Sequence, residues 1–186
     1  LGDIGTHAFH LACFVSGLTP ASVLADLHSF VDGRQLDDNV HVLLRFEGGA
    51  KGMLWASQVA PGNENGLRLR IYGDEAGLSW SQENPNYLTF SPLGEPSHLL
   101  GRGGPGLTGA AERVTRIPPG HPEGYLEGFA TIYREVADAI EAKRNGKDQP
   151  DEVTFPDLKE GLQGMRFVDA VLRSHKNGGV WTSLNS

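Results

Sequence analysis

The first sixteen residues repeat apolar side chains with the period of a helix. Ile4, Ala8, Leu11 and Val15 recur every three or four positions, so they would share one face of a helix. Gly17 follows the last of them, at the position where a glycine commonly ends a helix. The chain is therefore predicted to open with a helix that this glycine terminates.

The next part of the chain changes to the two-residue period of β-strands. The predicted strands cover residues 21–31, 39–47, 50–60, 67–72, 78–82 and 87–90. The second of them places its large side chains on one face, namely Val40, Val42, Leu44 and Phe46. Gly48 and Gly49 then turn the chain into the third strand, which predicts a hairpin. Tight turns rather than long crossovers favour antiparallel pairing.

Glycine and proline dominate residues 91–120, which predicts an irregular loop that serves as a lid or a contact surface. We expect no strand-to-helix junction around its central Gly101–Gly106 segment, and the Gly-Lys-Ser/Thr ending of a phosphate loop is missing there. Two helical patterns follow, at residues 123–144 and 154–176. The apolar stripe of the first comprises Leu126, Phe129, Ala130, Tyr133, Val136, Ala137 and Ile140. That of the second comprises Leu158, Leu162, Met165, Val168, Val171 and Leu172.

A strand meander followed by helices is typical of an α+β fold. We predict an open, largely antiparallel sheet of about six or more strands with helices on one face, formed by residues 1–186 as a single domain. The apolar side chains expected on the other face are Leu43, Leu54, Ala56, Tyr72 and Trp80. Such a face is too apolar for simple solvent exposure, so we expect a second copy of the chain to cover it. A one-residue change in strand register would reverse this assignment.

Composition narrows the class of protein. The 39% hydrophobic and 21% charged residues are ordinary for a soluble globular domain. The net charge of −7 argues against a nucleic-acid surface, which needs a basic stripe. No segment approaches the ~20 apolar residues of a membrane span. The single cysteine, Cys13, fits a reducing compartment, so we expect a cytoplasmic protein that binds neither nucleic acid nor a membrane.

Asp3 and His7 form the most informative pair of side chains. They lie four positions apart and would stack on one face of the opening helix. An imidazole can take and return a proton near neutral pH, and a neighbouring carboxylate orients it and stabilises its charged form. The pair therefore suggests acid/base catalysis. The competing interpretation is that Asp3 merely caps the helix and His7 is a half-buried structural histidine.

Two further interpretations stay open at this point. Asp3, His7 and His10 could converge on a divalent metal ion, which would suggest a hydrolase or lyase; our principal hypothesis has no metal site. The chain could also be a non-enzymatic dimerisation or sugar-binding module. His10 shares the face of His7 and could either contact a substrate or form a hydrogen bond within the fold. His121 could contact a substrate from the loop or be a solvent-exposed loop histidine.

The segment from Gly2 to His7 resembles the Gly-Asp-Ile-Gly-Ser/Thr-His signature of the glucose-fructose oxidoreductase, inositol dehydrogenase and rhizopine catabolism (Gfo/Idh/MocA) family. The resemblance continues through Leu69–Gly73, Gly120–Tyr125 and Gly161–Met165 and ends at Trp181. It covers essentially the whole chain and matches the C-terminal domain of that family.

This resemblance implies an NAD(P)-dependent oxidoreductase that acts on a sugar, a polyol or a related hydroxy compound. His7 would be the acid/base on the reacting oxygen, Asp3 would orient it and contact the substrate, and Gly5 and Thr6 would border the nicotinamide. The open sheet face would form a homodimer or homotetramer.

The family binds NAD or NADP mainly through an N-terminal Rossmann domain, which also supplies a lysine from a Glu-Lys-Pro motif. This sequence has no Glu-Lys-Pro, we predict no Gly-x-Gly-x-x-Gly after a strand, and Leu1 already lies beside the catalytic pair. We therefore expect the Rossmann domain to be absent from this chain and the isolated chain to be inactive.

Overall fold

A computed structural model describes residues 1–185. Contacts divide the chain into two compact units. The first combines residues 1–65 with the segment from residue 157 onward, and the second comprises residues 66–156.

The first unit is a four-stranded antiparallel sheet covered on one face by two helices. Its strands are β1 (Pro20–His28), β2 (Asn39–Phe46), β3 (Lys51–Ser57) and β8 (Thr182–Ser183), in the order β3-β2-β1-β8. Helix α1 (Ile4–Ser16) packs against β3, and helix α4 (Leu158–Lys176) packs against β1. Gly17 ends α1 with a φ of 66°, a left-handed conformation that glycine adopts without strain, as predicted.

The core of this unit lies between the sheet and the two helices. The rings of Phe9 on α1 and Phe167 on α4 stack with centroids 4.0 Å apart and planes inclined by 7°, and both side chains are fully buried. Beneath them the sheet contributes Val23, Ala25, Val40, Val42 and Leu54. This contact fixes α1 and α4 relative to the sheet.

The hairpin of β2 and β3 is confirmed, but the predicted faces of β3 are reversed. Leu54 and Ala56, expected on the open face, lie in the core because they pair with Val42 and Val40. Met53 and Trp55 lie on the open face instead, with 75% and 58% of their surface exposed. Residues 53–56 are all apolar, so their alternation could not indicate which pair is buried.

Helix α4 buries a different face from the predicted one. Gly164, Phe167, Ala170, Val171 and Ser174 are buried. Most of the predicted stripe is exposed, namely Leu158, Leu162, Met165 and Leu172. The helix is apolar on two sides, and its small residues allow close packing on the side that meets the sheet.

Side chains from the end of α4 satisfy the free edge of β1. The Ser174 hydroxyl accepts a hydrogen bond from the Ala25 N–H at 2.9 Å and donates to the Val180 carbonyl at 2.6 Å. Nδ1 of His175 accepts from the Leu27 N–H at 3.2 Å. Strand β8 has only two residues and pairs only with Ser22 and Val23 of β1. The Ser174 and His175 side chains take the place of a strand partner along the rest of this edge.

Replacing Ser174 by alanine is therefore expected to lower the free energy of unfolding by about 1–3 kcal/mol, because the buried N–H of Ala25 would lose its acceptor. Urea titration of the first unit's unfolding would measure this loss. The control is Ser29→Ala, which changes an exposed serine directly after β1 and should alter stability by less than about 0.5 kcal/mol. Equal effects of the two substitutions would contradict the role given to Ser174.

The second unit contains a separate four-stranded antiparallel sheet and two helices. Its strands are β4 (Arg68–Tyr72), β5 (Ala76–Ser81), β6 (Tyr87–Pro92) and β7 (His98–Gly101), in sequential order. The helices are α2 (Gly109–Val114) and α3 (Tyr125–Arg144). The α+β class and the antiparallel pairing are thus confirmed, with the strands distributed over two sheets of four.

Arg102 organises the segment that was predicted to be an irregular loop. Its guanidinium donates to the Asn86 side chain and to the carbonyl oxygens of Ile117 and His121, and it pairs with the buried Glu123 at 2.7 Å. The prediction missed β7 and α2 within residues 91–120. These elements are short, and their stability depends on such long-range partners rather than on local periodicity.

The apolar stripe of α3 is largely exposed, contrary to the prediction. Leu126, Phe129, Tyr133 and Ile140 all retain more than half of their accessible surface. The side chains that this helix buries are Glu135, paired with Arg113 at 2.7 Å, and Ala142. Among the helices within residues 1–185, none is both long and apolar enough to cross a membrane.

Candidate functional site

Asp3 and His7 lie one turn apart at the amino end of α1, and both side chains are exposed. Asp3 has helical backbone angles, φ −80° and ψ −72°, and its carboxylate makes no capping hydrogen bond. His7 is not half-buried. Within the described chain, neither side chain therefore performs the structural role that the competing interpretation gave it.

Gly5 holds this turn close to the sheet. It is buried, and a Cβ there would lie 3.2 Å from Cδ1 of Leu1 and 4.0 Å from the Cβ of Ala56 on β3. The glycine in the signature thus allows α1 to approach the sheet closely. Its contact with a nicotinamide stays a prediction, and the structure places its Cα toward the protein interior.

Thr6 is half-buried next to this pair. Its hydroxyl lies within hydrogen-bond distance of the carbonyl oxygens of Gly2 and Asp3, at 3.2 and 3.1 Å. The hydroxyl is thus engaged with its own helix, and the side chain helps to fix the first turn. Its predicted contact with a cofactor is likewise untested.

His10 packs against α4. Its Nε2 lies 2.6 Å from the position that a Cβ on Gly164 would occupy, so a larger residue at position 164 would require this imidazole to move. Its ring also meets the edge of Phe9 at 6.0 Å between centroids. This contact gives His10 a role within the fold, and substrate contact by His10 stays a prediction.

His121 belongs to the second unit. It is exposed, and its carbonyl oxygen accepts the hydrogen bond from Arg102 at 2.6 Å. The structure thus shows how its backbone is anchored, whereas the predicted substrate contact of its imidazole is untested.

The predicted metal alternative is not supported by the side-chain positions. Within residues 1–185, no group of three or more His, Cys, Asp or Glu side chains could hold a metal ion, so Asp3, His7 and His10 do not converge. Cys13 is half-buried against the core, and this burial raises the pKa of its thiol to about 11. The thiol is therefore protonated at neutral pH and a poor nucleophile.

The Gly101–Gly106 segment does lie between a strand and a helix, which corrects the sequence prediction. β7 ends at Gly101, and α2 begins at Gly109. However, β7 pairs antiparallel with β6, and α2 has only six residues. A dinucleotide-binding loop joins a parallel strand to a full crossover helix, so this segment lacks the required setting.

One cluster was missed by the sequence analysis. Asn39, His41 and Trp55 line a cavity of about 590 Å³ on the open face of the first sheet. His41 and Trp55 are directly opposite each other in the hairpin register. The cross-strand position of these two rings could have indicated the cluster from the sequence. It was missed because Leu54 and Ala56, rather than Trp55, were predicted on the open face of β3.

Asp38 shapes one border of this cavity. Its carboxylate is buried and accepts hydrogen bonds from the backbone N–H groups of Phe30 and Val31 at 2.9 and 3.0 Å, with Arg34 at 3.4 Å. Desolvation by burial opposes its ionisation, but these two backbone donors and the nearby Arg34 charge outweigh it and hold the pKa of Asp38 below its usual value. The ionised carboxylate fixes the loop that carries Phe30.

Comparison with known proteins tests the resemblance that the sequence shows. Residues 1–79 match the GFO/IDH/MocA C-terminal domain. The uncharacterized oxidoreductase YfiI of Bacillus subtilis (strain 168) is 36% identical over 184 residues, which cover 97% of this chain and 47% of that protein. These similarities confirm the resemblance to the C-terminal domain of the GFO/IDH/MocA family that the sequence shows.

Solved structures agree with this assignment. An oxidoreductase from Sinorhizobium meliloti is 58% identical with a TM-score of 0.92, covering 96% of this chain and 50% of that one. An inositol dehydrogenase homolog from Azotobacter vinelandii, complexed with NADH and myo-inositol, is 34% identical with a TM-score of 0.91, covering 97% and 48%. The chain thus spans about half the length of the relatives that it matches.

Proposed function

We propose that this chain is the substrate-binding and oligomerisation domain of an NAD(P)-dependent oxidoreductase that acts on a sugar, a polyol or a related hydroxy compound. His7 is the acid/base, and Asp3 orients its imidazole and contacts the substrate. His10 and His121 are further substrate contacts in this proposal. An N-terminal Rossmann domain outside this chain holds most of the dinucleotide.

The observation that carries the proposal is the exposed Asp3 and His7 pair on a rigidly held turn. Gly5 lies against β3, and Phe9 stacks on Phe167, so α1 cannot rotate without disturbing the core. The two side chains themselves face solvent. Neither side chain packs in the core, yet both are held on a fixed helix end. Such a pair suits a catalytic role better than a structural one.

His7 would remove the proton from a substrate hydroxyl, or return it to a carbonyl in the reverse direction. Asp3, one turn away, would stabilise the imidazolium that forms and favour one ring orientation. The nicotinamide supplies hydride chemistry when it is bound. Of the two residues predicted to border it, Thr6 is the one whose side chain reaches the surface, while Gly5 faces the interior.

The open face of the first sheet supports the proposed homodimer or homotetramer. Leu43, Met53 and Trp55 are all exposed on this face, at 48%, 75% and 58%. Exposed apolar patches of this kind commonly mark interaction surfaces. The single, unreactive Cys13 is compatible with the reducing cytoplasm that we propose as the location.

The isolated chain is expected to show no dehydrogenase activity and to bind NAD(H) and NADP(H) with a Kd weaker than about 1 mM. The reason is that the residues proposed to meet the cofactor are confined to one helix turn. A chimera that places this chain in the matching half of the Sinorhizobium meliloti oxidoreductase should recover activity. Calorimetric titration and absorbance at the reduced nicotinamide band would measure binding and turnover on a panel of polyols and sugars.

The unmodified Sinorhizobium meliloti protein is the positive control and selects the substrates to be used. Micromolar dinucleotide binding by the isolated chain would contradict the proposed division of labour. A folded chimera that is inactive on every substrate oxidised by the control would contradict the proposed function.

A further inference from the structure

We infer that Arg102 is a positioning residue for the substrate, because it holds the turn that carries His121 in one arrangement. This inference rests on the proposed function, in which His121 is a substrate contact. Residues 117–123, here named the His121 turn, lie between α2 and α3 in the second unit. Arg102 directly follows β7 in the same unit.

The direction of the His121 imidazole depends on the backbone beneath it. Within the described chain, the hydrogen bonds of His121 are made by its backbone. Its N–H donates to the Pro118 carbonyl at 3.3 Å, and its own carbonyl accepts from Arg102 at 2.6 Å. The imidazole itself is exposed. Whatever holds this backbone therefore decides where the imidazole is presented.

The guanidinium of Arg102 binds the His121 turn at two points. Nη1 donates to the Ile117 carbonyl at 2.7 Å, and Nη2 donates to the His121 carbonyl at 2.6 Å. Nε donates to the Asn86 side chain at 2.7 Å, outside the turn. Because the donors of a guanidinium lie in one rigid plane, these three acceptors are held in fixed directions relative to one another.

The buried carboxylate of Glu123 completes this anchor. Its Oε2 lies 2.7 Å from Nη1 of Arg102 and accepts from the Ile117 N–H at 3.2 Å, and its Oε1 accepts from the Arg116 N–H at 2.9 Å. The Arg102 and Glu123 side chains are only 16% and 4% exposed. Separating two buried charges is strongly unfavourable, so the pair favours the backbone arrangement in which they meet. That arrangement fixes both ends of the His121 turn.

The backbone next to Arg102 also supports the turn. A Cβ on Gly103 would lie 3.0 Å from Cγ of Pro119, so the chain at residue 103 packs directly against the turn. The turn is thus supported from below while the His121 imidazole stays exposed. Such preorganisation suits a binding contact, because less conformational freedom is lost when a ligand binds.

A second ion pair in the same unit provides a matched control. Arg113 on α2 pairs with Glu135 on α3 at 2.7 Å, and the Glu135 side chain is as buried as that of Glu123. Within the described chain, the hydrogen bonds of the Arg113 guanidinium go to Glu135 and not to residues 117–123. A purely structural role of Arg102 predicts that loss of either pair has the same consequences for activity.

The first measurement is hydrogen exchange of the 186-residue chain, followed by mass spectrometry of the peptide that contains residues 117–123. Arg102→Lys keeps the charge but has no planar fork to hold the carbonyls of Ile117 and His121 together. It should speed exchange of this peptide by about fivefold or more. Arg113→Lys should leave the exchange within about twofold of the unchanged chain. Circular dichroism would confirm that each variant is folded.

The second measurement is steady-state kinetics of the chimera with the Sinorhizobium meliloti oxidoreductase. His121→Ala should raise the KM for the hydroxylated substrate by about tenfold, with the KM for the dinucleotide unchanged. Arg102→Lys should raise the same KM by about fivefold and change kcat by less than about threefold, whereas Arg113→Lys should leave it within about twofold. In the His121→Ala background, Arg102→Lys should add less than about twofold, because its effect passes through the imidazole.

Unchanged exchange in Arg102→Lys would overturn the inference whatever the activity of the chimera. In an active chimera, a substrate KM that does not respond to Arg102→Lys or to His121→Ala would also overturn it. The same holds if the effects of these two substitutions multiply fully, or if Arg113→Lys raises the substrate KM as much as Arg102→Lys. A folded chimera that is inactive on every substrate of the control would instead contradict the proposed function, and the substrate role of Arg102 would fall with it.

Discussion

Replacing His7 by alanine in the chimera is expected to lower kcat/KM by about 10²–10⁴-fold, the usual contribution of a positioned acid/base. The imidazole is exposed on the first turn of α1 and supports no core contact, so the loss should appear in catalysis and not in folding. Initial rates at saturating dinucleotide, measured over a range of pH, would give both the size of the loss and the disappearance of one ionisation from the rate profile.

The matched control is His98→Ala, which removes an exposed imidazole from the start of β7. This variant should retain the rates of the unchanged chimera. Asp3→Asn, which keeps the shape but removes the charge, should lower activity while leaving the unfolding midpoint unchanged. Activity near that of the unchanged chimera in His7→Ala would rule out His7 as the acid/base.

Phe167→Ala is expected to cost about 3–5 kcal/mol of unfolding free energy, the largest loss of stability that we predict. Phe167 is fully buried and stacks on Phe9 at 4.0 Å, so truncation would leave a cavity between α1, α4 and the sheet. Urea titration followed by circular dichroism would measure the change.

Met165→Ala is the control for this experiment because Met165 lies two positions away on the same helix and is 67% exposed. It should alter stability by less than about 0.5 kcal/mol. The sequence pattern favoured the opposite outcome, since it placed Met165 in the buried stripe and left Phe167 out. A larger loss for Met165→Ala than for Phe167→Ala would show that α4 buries the predicted face after all.

The proposed catalytic pair, Asp3 and His7, illustrates which part of a site local geometry can specify. Residues four positions apart share a helix face wherever that helix lies, so Asp3 and His7 could be brought together from their spacing alone. The packing role of Gly5 could not be predicted in this way, because it depends on contacts with Leu1 and with Ala56, which is distant in the sequence. The same holds for His10, whose imidazole meets Gly164 across the α1 and α4 contact.

The open-face cavity shows a second kind of limit. Its components come from β2, β3 and the segments that follow β1 and β3, so their proximity can be predicted only when the hairpin register is known. Residues 53–56 are apolar on both faces of β3, so the sequence did not show which face is buried. The predicted facing was wrong by one residue and placed Leu54 instead of Trp55 on the open face. The hydrogen bonds from Trp55 to Asn39 and from Asn39 to His41 could not be anticipated from that reversed register.

The sequence by itself determined the opening helix and its end at Gly17, the β2 and β3 hairpin, the antiparallel α+β class and the family signature. Each of these depends on residues that are close along the chain or on the period of their side chains. Only the tertiary structure decided the division into two sheets, the buried faces of β3 and α4, and the exposure of the α3 stripe. The physical reason is that a hydrophobic pattern shows which faces can be buried. Which of them is buried depends on the shape of the partner. In α4, Gly164 and Ala170 allow a close approach to the neighbouring elements, and Phe167 fills the space against Phe9.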